Sequence, residues 1–234
     1  MLVRTILNDA RRELLEYGAQ LFWSDEELLR LYNRAELDFV NRTRLLEDTA
    51  SLSLQQGISQ YPLPSNWLSA RAILHKALND SGTVTWRRVW PKNLEKVIQE
   101  RPNFLDTTTN SQGRPLVYFI WNKEIYILPA PDLTSTTQVN LFYKSKPIAV
   151  TDPDIENIRI DDSLSEGLTA YILWKAWNKE KETDLADEQK NIYFNYIGEG
   201  RRWSKKQLGD GRYQIDIESH ESFGGDYNPY SPLE

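Results

Sequence analysis

The sequence predicts an α+β fold: a four-helix bundle formed by N- and C-terminal helix pairs, with an inserted, mainly antiparallel β domain and an extended C-terminal arm. Three observations predict it. Apolar residues recur at three- and four-residue steps at both ends of the chain. Between about residues 49 and 160 they alternate with polar ones, and from about residue 209 both patterns lapse. The division is therefore 1–48 for the first half of the bundle and 49–160 for the β-rich insertion. Residues 161–208 form its second half, and 209–234 the arm.

Ile6, Ala10, Leu14 and Tyr17 trace the face of a first helix, which Gly18 stops. A second opens at Ser24, where Ser24 and Glu27 have the spacing of a capping box. Leu28, Leu31, Tyr32, Ala35, Phe39 and Leu46 follow on one side. The period then falls to two at Ala50, Leu52 and Leu54. Gln56-Gly57 reads as a turn before Tyr61-Pro62-Leu63-Pro64, whose prolines keep the chain extended.

Further strands are predicted at 69–78, 84–89, 116–120, 124–128 and 139–143, with Asp80-Ser81-Gly82 and Asn122-Lys123 as hairpin turns. Residues 91–101 read as a short helix with Pro91 near its first turn. Helix resumes after Asp161-Asp162, with Leu164, Leu168, Tyr171, Ile172 and Ala176 as its stripe. Asp184 suits the cap of the last helix, whose face carries Leu185, Gln189, Ile192, Tyr193, Tyr196, Ile197, Gly200 and Trp203. Arg201, Arg202, Lys205 and Lys206 lie in its final turns, where cations favour the helix dipole. Each helix pair is apolar on one side only, so packing the first pair on the last buries both stripes.

The arm holds six acids (Asp210, Asp216, Glu218, Glu221, Asp226 and Glu234) and one base, Arg212. Tyr213, Ile215, Ile217, Phe223, Tyr227 and Tyr230 are spaced through it. A segment without a core of its own but with many apolar anchors suits folding onto a partner.

Composition narrows the function. The net charge of −6 argues against gripping nucleic acid as the main task, because phosphate binding needs clustered Lys and Arg. The absence of cysteine excludes disulfides, thiolate catalysis and Cys-ligated zinc. Eight Trp and twelve Tyr favour extensive protein contacts, although a core also uses them. The N-terminal stretch carries acids within an amphipathic pattern, so a soluble protein made in a cytoplasm is expected, with no signal peptide and no membrane helix.

Catalytic constellations are not evident, and neither catalytic nor metal residues nor a cofactor are assigned. His75 falls in a strand pattern, and His220 lies between acids in the arm without further metal ligands. No H-E-x-x-H, G-x-S-x-G, Walker loop or G-x-G-x-x-G occurs. Asp161-Asp162 and Asp152/Asp154 are explained by capping and loop solvation more simply than by a cation. The cluster Trp86-Arg87-Arg88-Val89-Trp90 places Trp86, Arg88 and Trp90 on one face of a strand. Stacking on single-stranded bases, a sugar-binding surface and a subunit contact all fit it.

Several stretches, in order, resemble the head-to-tail adaptor family of podoviruses, the group that includes tail tubular protein A and related portal-bound ring proteins. They are Phe22-Trp23-Ser24-Asp25-Glu26-Glu27-Leu28, Gln60 to Pro64, Gly113-Arg114-Pro115 leading to Tyr118, Ile125 to Pro131, Phe142-Tyr143-Lys144 and Leu168-Thr169-Ala170-Tyr171. The resemblance spans roughly residues 1–208 and implies a structural subunit, not an enzyme. Such a subunit assembles in the virion neck as a ring of twelve copies beneath the portal protein, after a stage in the host cytoplasm. It extends the DNA channel without binding DNA specifically, and carries the next tail component, a nozzle or tail-tube protein. It implies an arm that runs along the portal. The rival readings are a tail-associated glycan hydrolase and a sugar- or nucleic-acid-binding module built on Trp86, Arg87, Arg88 and Trp90.

Overall fold

The structure is a computed structural model that describes residues 1–15, 22–78, 84–104, 112–132 and 138–207. It is α+β, with five helices and a curled seven-stranded sheet. Helices α1 (Val3–Glu13) and α2 (Asp25–Thr43) precede the strands, and α4 (Ser165–Glu180) and α5 (Thr183–Gln207) follow them.

The four outer helices share one apolar core. Ile6, Leu7 and Ala10 of α1 meet Leu28, Tyr32, Ala35 and Phe39 of α2, Leu168, Ile172 and Ala176 of α4, and Tyr193 and Ile197 of α5. Two glycines set the closest approaches. An added Cβ at Gly167 would lie 2.7 Å from the Tyr196 Cβ, and one at Gly200 would lie 2.7 Å from the Thr43 Cγ2. The buried line of α5 runs through Ala186, Tyr193, Ile197, Gly200 and Ser204, while Leu185 and Trp203, expected on that face, are exposed.

Helix starts follow local chemistry. Ser24 Oγ accepts the Glu27 N–H at 3.1 Å. The Glu27 carboxylate pairs with Lys179 at 3.0 Å and also faces the Ser24 backbone N–H, and both hold its carboxyl below the usual range. Asp161 caps a short 3-10 turn, Asp162–Leu164, ahead of α4. Asp184 lies inside the first turn of α5, not at its cap. Helix α1 ends at Glu13, with Leu15 at φ 55°, so the stop comes earlier than the expected Gly18; Tyr17 and Gly18 lie outside the described residues.

The strands are β1 (Glu47–Ser53), β2 (Gln60–Pro62), β3 (Trp67–Leu78), β4 (Val84–Pro91), β5 (Val117–Trp121), β6 (Glu124–Leu128) and β7 (Gln138–Ser145). Their order in the sheet is β1-β7-β3-β4-β5-β6-β2. Neighbours pair antiparallel except β4 and β5, which are parallel over the short register Trp90–Val117 and Pro91–Tyr118. Asn122 and Lys123, both at positive φ, turn the β5–β6 hairpin in the way a two-residue loop requires. The 80–82 turn lies outside the described residues. Pro91 ends β4 and does not start a helix. The short helix is α3 (Leu94–Glu100), capped by the Asn93 side chain on the Glu95 N–H at 3.0 Å.

Curling encloses a second core of Leu54, Tyr61, Ile73, Val89, Tyr118, Ile127, Val139, Leu141 and Tyr143. On the outer side of β5–β6, Val97 and Phe104 cover Phe119, Tyr126 and Leu128. The open seam of the curl lies between edge strands β1 and β2. The Tyr61 hydroxyl of β2 holds the segment that connects them, accepting from the Gln55 N–H at 3.0 Å and donating to the Ile58 carbonyl at 2.8 Å.

Candidate interaction surface

The β3–β4 register decides which way the Trp-Arg cluster faces. Ile73, His75 and Ala77 pair with Val89, Arg87 and Thr85, and Ile73, Val89, His75 and Ala77 are buried. Strand alternation then puts Val84, Trp86, Arg88 and Trp90 on the opposite, outer face, beside Leu74 and Lys76. Trp86 and Trp90 are 44% and 52% exposed. The Arg88 guanidinium lies over the Trp90 ring, 4.7 Å from its centroid. That contact orders both side chains and covers one ring face that a base or sugar would need. The outer face is therefore a preformed basic–aromatic strip on an acidic chain.

Arg87 lies on the other face of the strand, opposite His75 in the register, and is itself exposed. His75 is 1% exposed, and Arg114 Nε donates to its Nε2 at 3.3 Å. Burial first, then the Arg114 charge and more weakly that of Arg87, push the His75 pKa down to about 4. The ring is thus neutral near pH 7 and serves as an acceptor under the sheet. This gives Arg114 of the Gly113-Arg114-Pro115 stretch a structural place, while the Gly113 N–H donates to the Ala130 carbonyl at 2.8 Å.

The other singled-out residues are accounted for locally. The Arg4 guanidinium grips both oxygens of Asp154, at 2.7 and 2.8 Å, and reaches Asp25 at 2.7 Å. These bonds hold the Asp25 and Asp154 carboxyls below their usual range. Asp152 accepts the Asp154 N–H, and Asp161 the Ser163 N–H. Trp23 is buried, its indole N–H donating to Glu180 at 2.8 Å, with Lys179 over the ring. Among the described residues no group of three or more His, Asp or Glu is placed to hold a metal ion. Tyr213, Ile215, Ile217, Phe223, Tyr227, Tyr230 and His220 lie outside them.

Sequence reasoning missed two exposed features. Trp121, 60% exposed, stands at the β5–β6 hairpin, where an aromatic directly before the Asn122-Lys123 turn was the available signal. Leu37 and Ile148 are exposed along a groove between α2 and residues 147–149. No helix among the described residues is long and apolar enough to cross a membrane.

The sequence model of the SU10 adaptor protein family matches residues 1–213. No curated protein matches the chain.

Proposed function

The chain belongs to the SU10 adaptor protein family, a family of phage head-to-tail adaptors, and from that premise we propose that it is a neck subunit of a short-tailed phage, forming a ring of twelve copies under the portal. The observation that carries this reading is the family match over residues 1–213. In this reading residues 1–48 and 161–208 act together as a four-helix bundle, 49–160 as the inserted β domain, and 209–234 as the arm.

The exposed side chains suit such a role. Leu37 and Ile148 lie on the side of α2 away from α5, and Leu185, Phe194 and Trp203 are exposed on α5. Two apolar flanks on different sides of one subunit favour a head-to-tail contact, the kind that closes into a ring. The Trp86–Arg88–Trp90 strip faces the next tail component, and the arm bearing Tyr213, Ile215, Ile217, Phe223, Tyr227 and Tyr230 docks on the portal. Five of the chain's six net negative charges lie in the arm, so the ring body is close to neutral, which limits the counterion release that would make sliding DNA adhere. No catalytic step is assigned to the chain.

The test is co-sedimentation with the portal protein. The full-length chain is expected to co-sediment and a chain truncated after Leu208 to remain in the supernatant. Equal binding by both refutes the docking assignment.

A further inference from the structure

Helix α5 ends where β1 begins. The Ser204 hydroxyl donates to the Arg44 carbonyl at 3.1 Å, Arg201 Nε donates to the Arg42 carbonyl at 3.2 Å, and Gly200 packs on Thr43 and Leu45. Helices α2 and α5 run in the same direction, since Tyr193 meets Asp38 and Arg201 meets Arg42. Both therefore deliver their C-termini to the same end of the sheet. There α2 continues into β1, and α5 into residues 208–234.

Among the described residues β1 is an edge strand, paired on one side only. Its register with β7 sets Leu46 opposite Ser145, and the Ser145 N–H donates to the Leu46 carbonyl at 3.0 Å. Antiparallel alternation then turns the backbone of Asp48, Ala50 and Leu52 toward β7, and that of Thr49, Ser51 and Ser53 away from it. The Asp48 carboxylate takes the Thr49 N–H at 2.8 Å. Among the described residues no strand pairs with the outward backbone of Ser51 and Ser53. Beside this edge the core is incompletely covered: Ala50 and Leu52, and Leu63 across the seam, are only half-buried. An unpaired strand edge beside half-covered apolar residues is a template for another strand.

The arm contains a matching segment. Tyr213, Ile215 and Ile217 alternate with Gln214, Asp216 and Glu218, the period of a strand with one apolar face. We propose that residues 213–218 of the same chain add to the free edge of β1, parallel to it, with Tyr213, Ile215 and Ile217 on the face of Ala50 and Leu52. Residues 208–212, fully extended, span about 17 Å, enough to reach the start of β1 from the end of α5. The pairing satisfies the Ser51 and Ser53 backbone and covers the seam, and it puts the acids on the solvated face with Thr49, Ser51 and Ser53. It narrows the docking set of the arm from six residues to Phe223, Tyr227 and Tyr230, since Tyr213, Ile215 and Ile217 are taken up by β1; it forms in the free subunit, so it stands or falls separately from portal docking.

Hydrogen exchange on the isolated subunit tests it, comparing the full chain, a chain truncated after Leu208, the pair Ile215→Asp/Ile217→Asp, and the pair Phe223→Ala/Tyr227→Ala. The Ser51 and Ser53 amides are expected to exchange at least tenfold faster in the truncated and Ile215/Ile217 variants, and unchanged in the Phe223/Tyr227 variant. The Leu52 and Ile127 amides report that the sheet is intact throughout. Equal exchange at Ser51 and Ser53 in full-length and truncated chains overturns the proposal. Protection that rises with protein concentration also overturns it, by assigning the strand to a neighbouring copy. Protection that appears only on adding portal overturns it too, while leaving portal docking standing.

Discussion

Arg114 Nε lies 3.3 Å from Nε2 of His75, so a guanidinium donates into a histidine that is itself 1% exposed. The acceptor nitrogen must carry a lone pair, which fixes the ring as neutral. Its pKa of about 4 in the fold lies below the ordinary histidine value of 6.5. Below pH 6.5 the unfolded chain takes up a proton that the folded chain refuses, so stability falls as pH drops from 6.5 to 4, by at most about 3 kcal/mol. His75→Gln keeps an acceptor but does not titrate. The difference between the wild-type and His75→Gln melting curves at pH 7 and pH 4.5 isolates this term, and the variant is expected to lose less on acidification.

Glu36 is a second buried titratable group, 1% exposed in the helical core, accepting the Arg159 N–H at 3.1 Å. Burial is the main cause that pushes its carboxyl up. For an acid raised in the fold, stability is fully present below its unfolded value and is lost as pH rises. Glu36→Gln keeps the carbonyl acceptor and removes the charge, so it is expected to raise the melting temperature at pH 7. The gain should vanish at pH 4, where both side chains are neutral.

Three helical glycines are expected to respond in opposite directions. An added methyl at Gly167 or Gly200 meets a neighbour at 2.7 Å, whereas at Gly198 it meets nothing within 4 Å. Gly167→Ala and Gly200→Ala should therefore destabilise by about 1–3 kcal/mol through overpacking. Gly198→Ala should stabilise by about 0.5–1 kcal/mol through helix propensity. Urea denaturation of the three variants checks both signs.

Trp86→Ala combined with Trp90→Ala removes the outer aromatic strip without touching either core. Stability is expected to change by about 1 kcal/mol or less, while affinity for the downstream tail protein falls roughly 30-fold or more if the pair anchors that contact. Binding unchanged by the double substitution would place the tail contact elsewhere, with exposed Trp121 the next position to vary.

How far the sequence could be read depended on whether the deciding interaction was local. The Ser24 cap, the Asn122-Lys123 turn and β6 follow from neighbouring residues and stand where they were expected. Pro91 was ambiguous because a proline suits both a helix start and the end of a strand beside a short parallel contact. Alternation showed that Trp86, Arg88 and Trp90 share a face, yet not which face the core covers. That depends on the pairing of His75 with Arg87 across β3 and β4. The burial of His75 was hidden for the same reason.

The mass of the complex formed with the portal protein tests the central claim most directly. A particle whose mass equals the portal ring plus twelve copies of this chain is the expected result. A chain that stays monomeric in the presence of portal contradicts the adaptor reading.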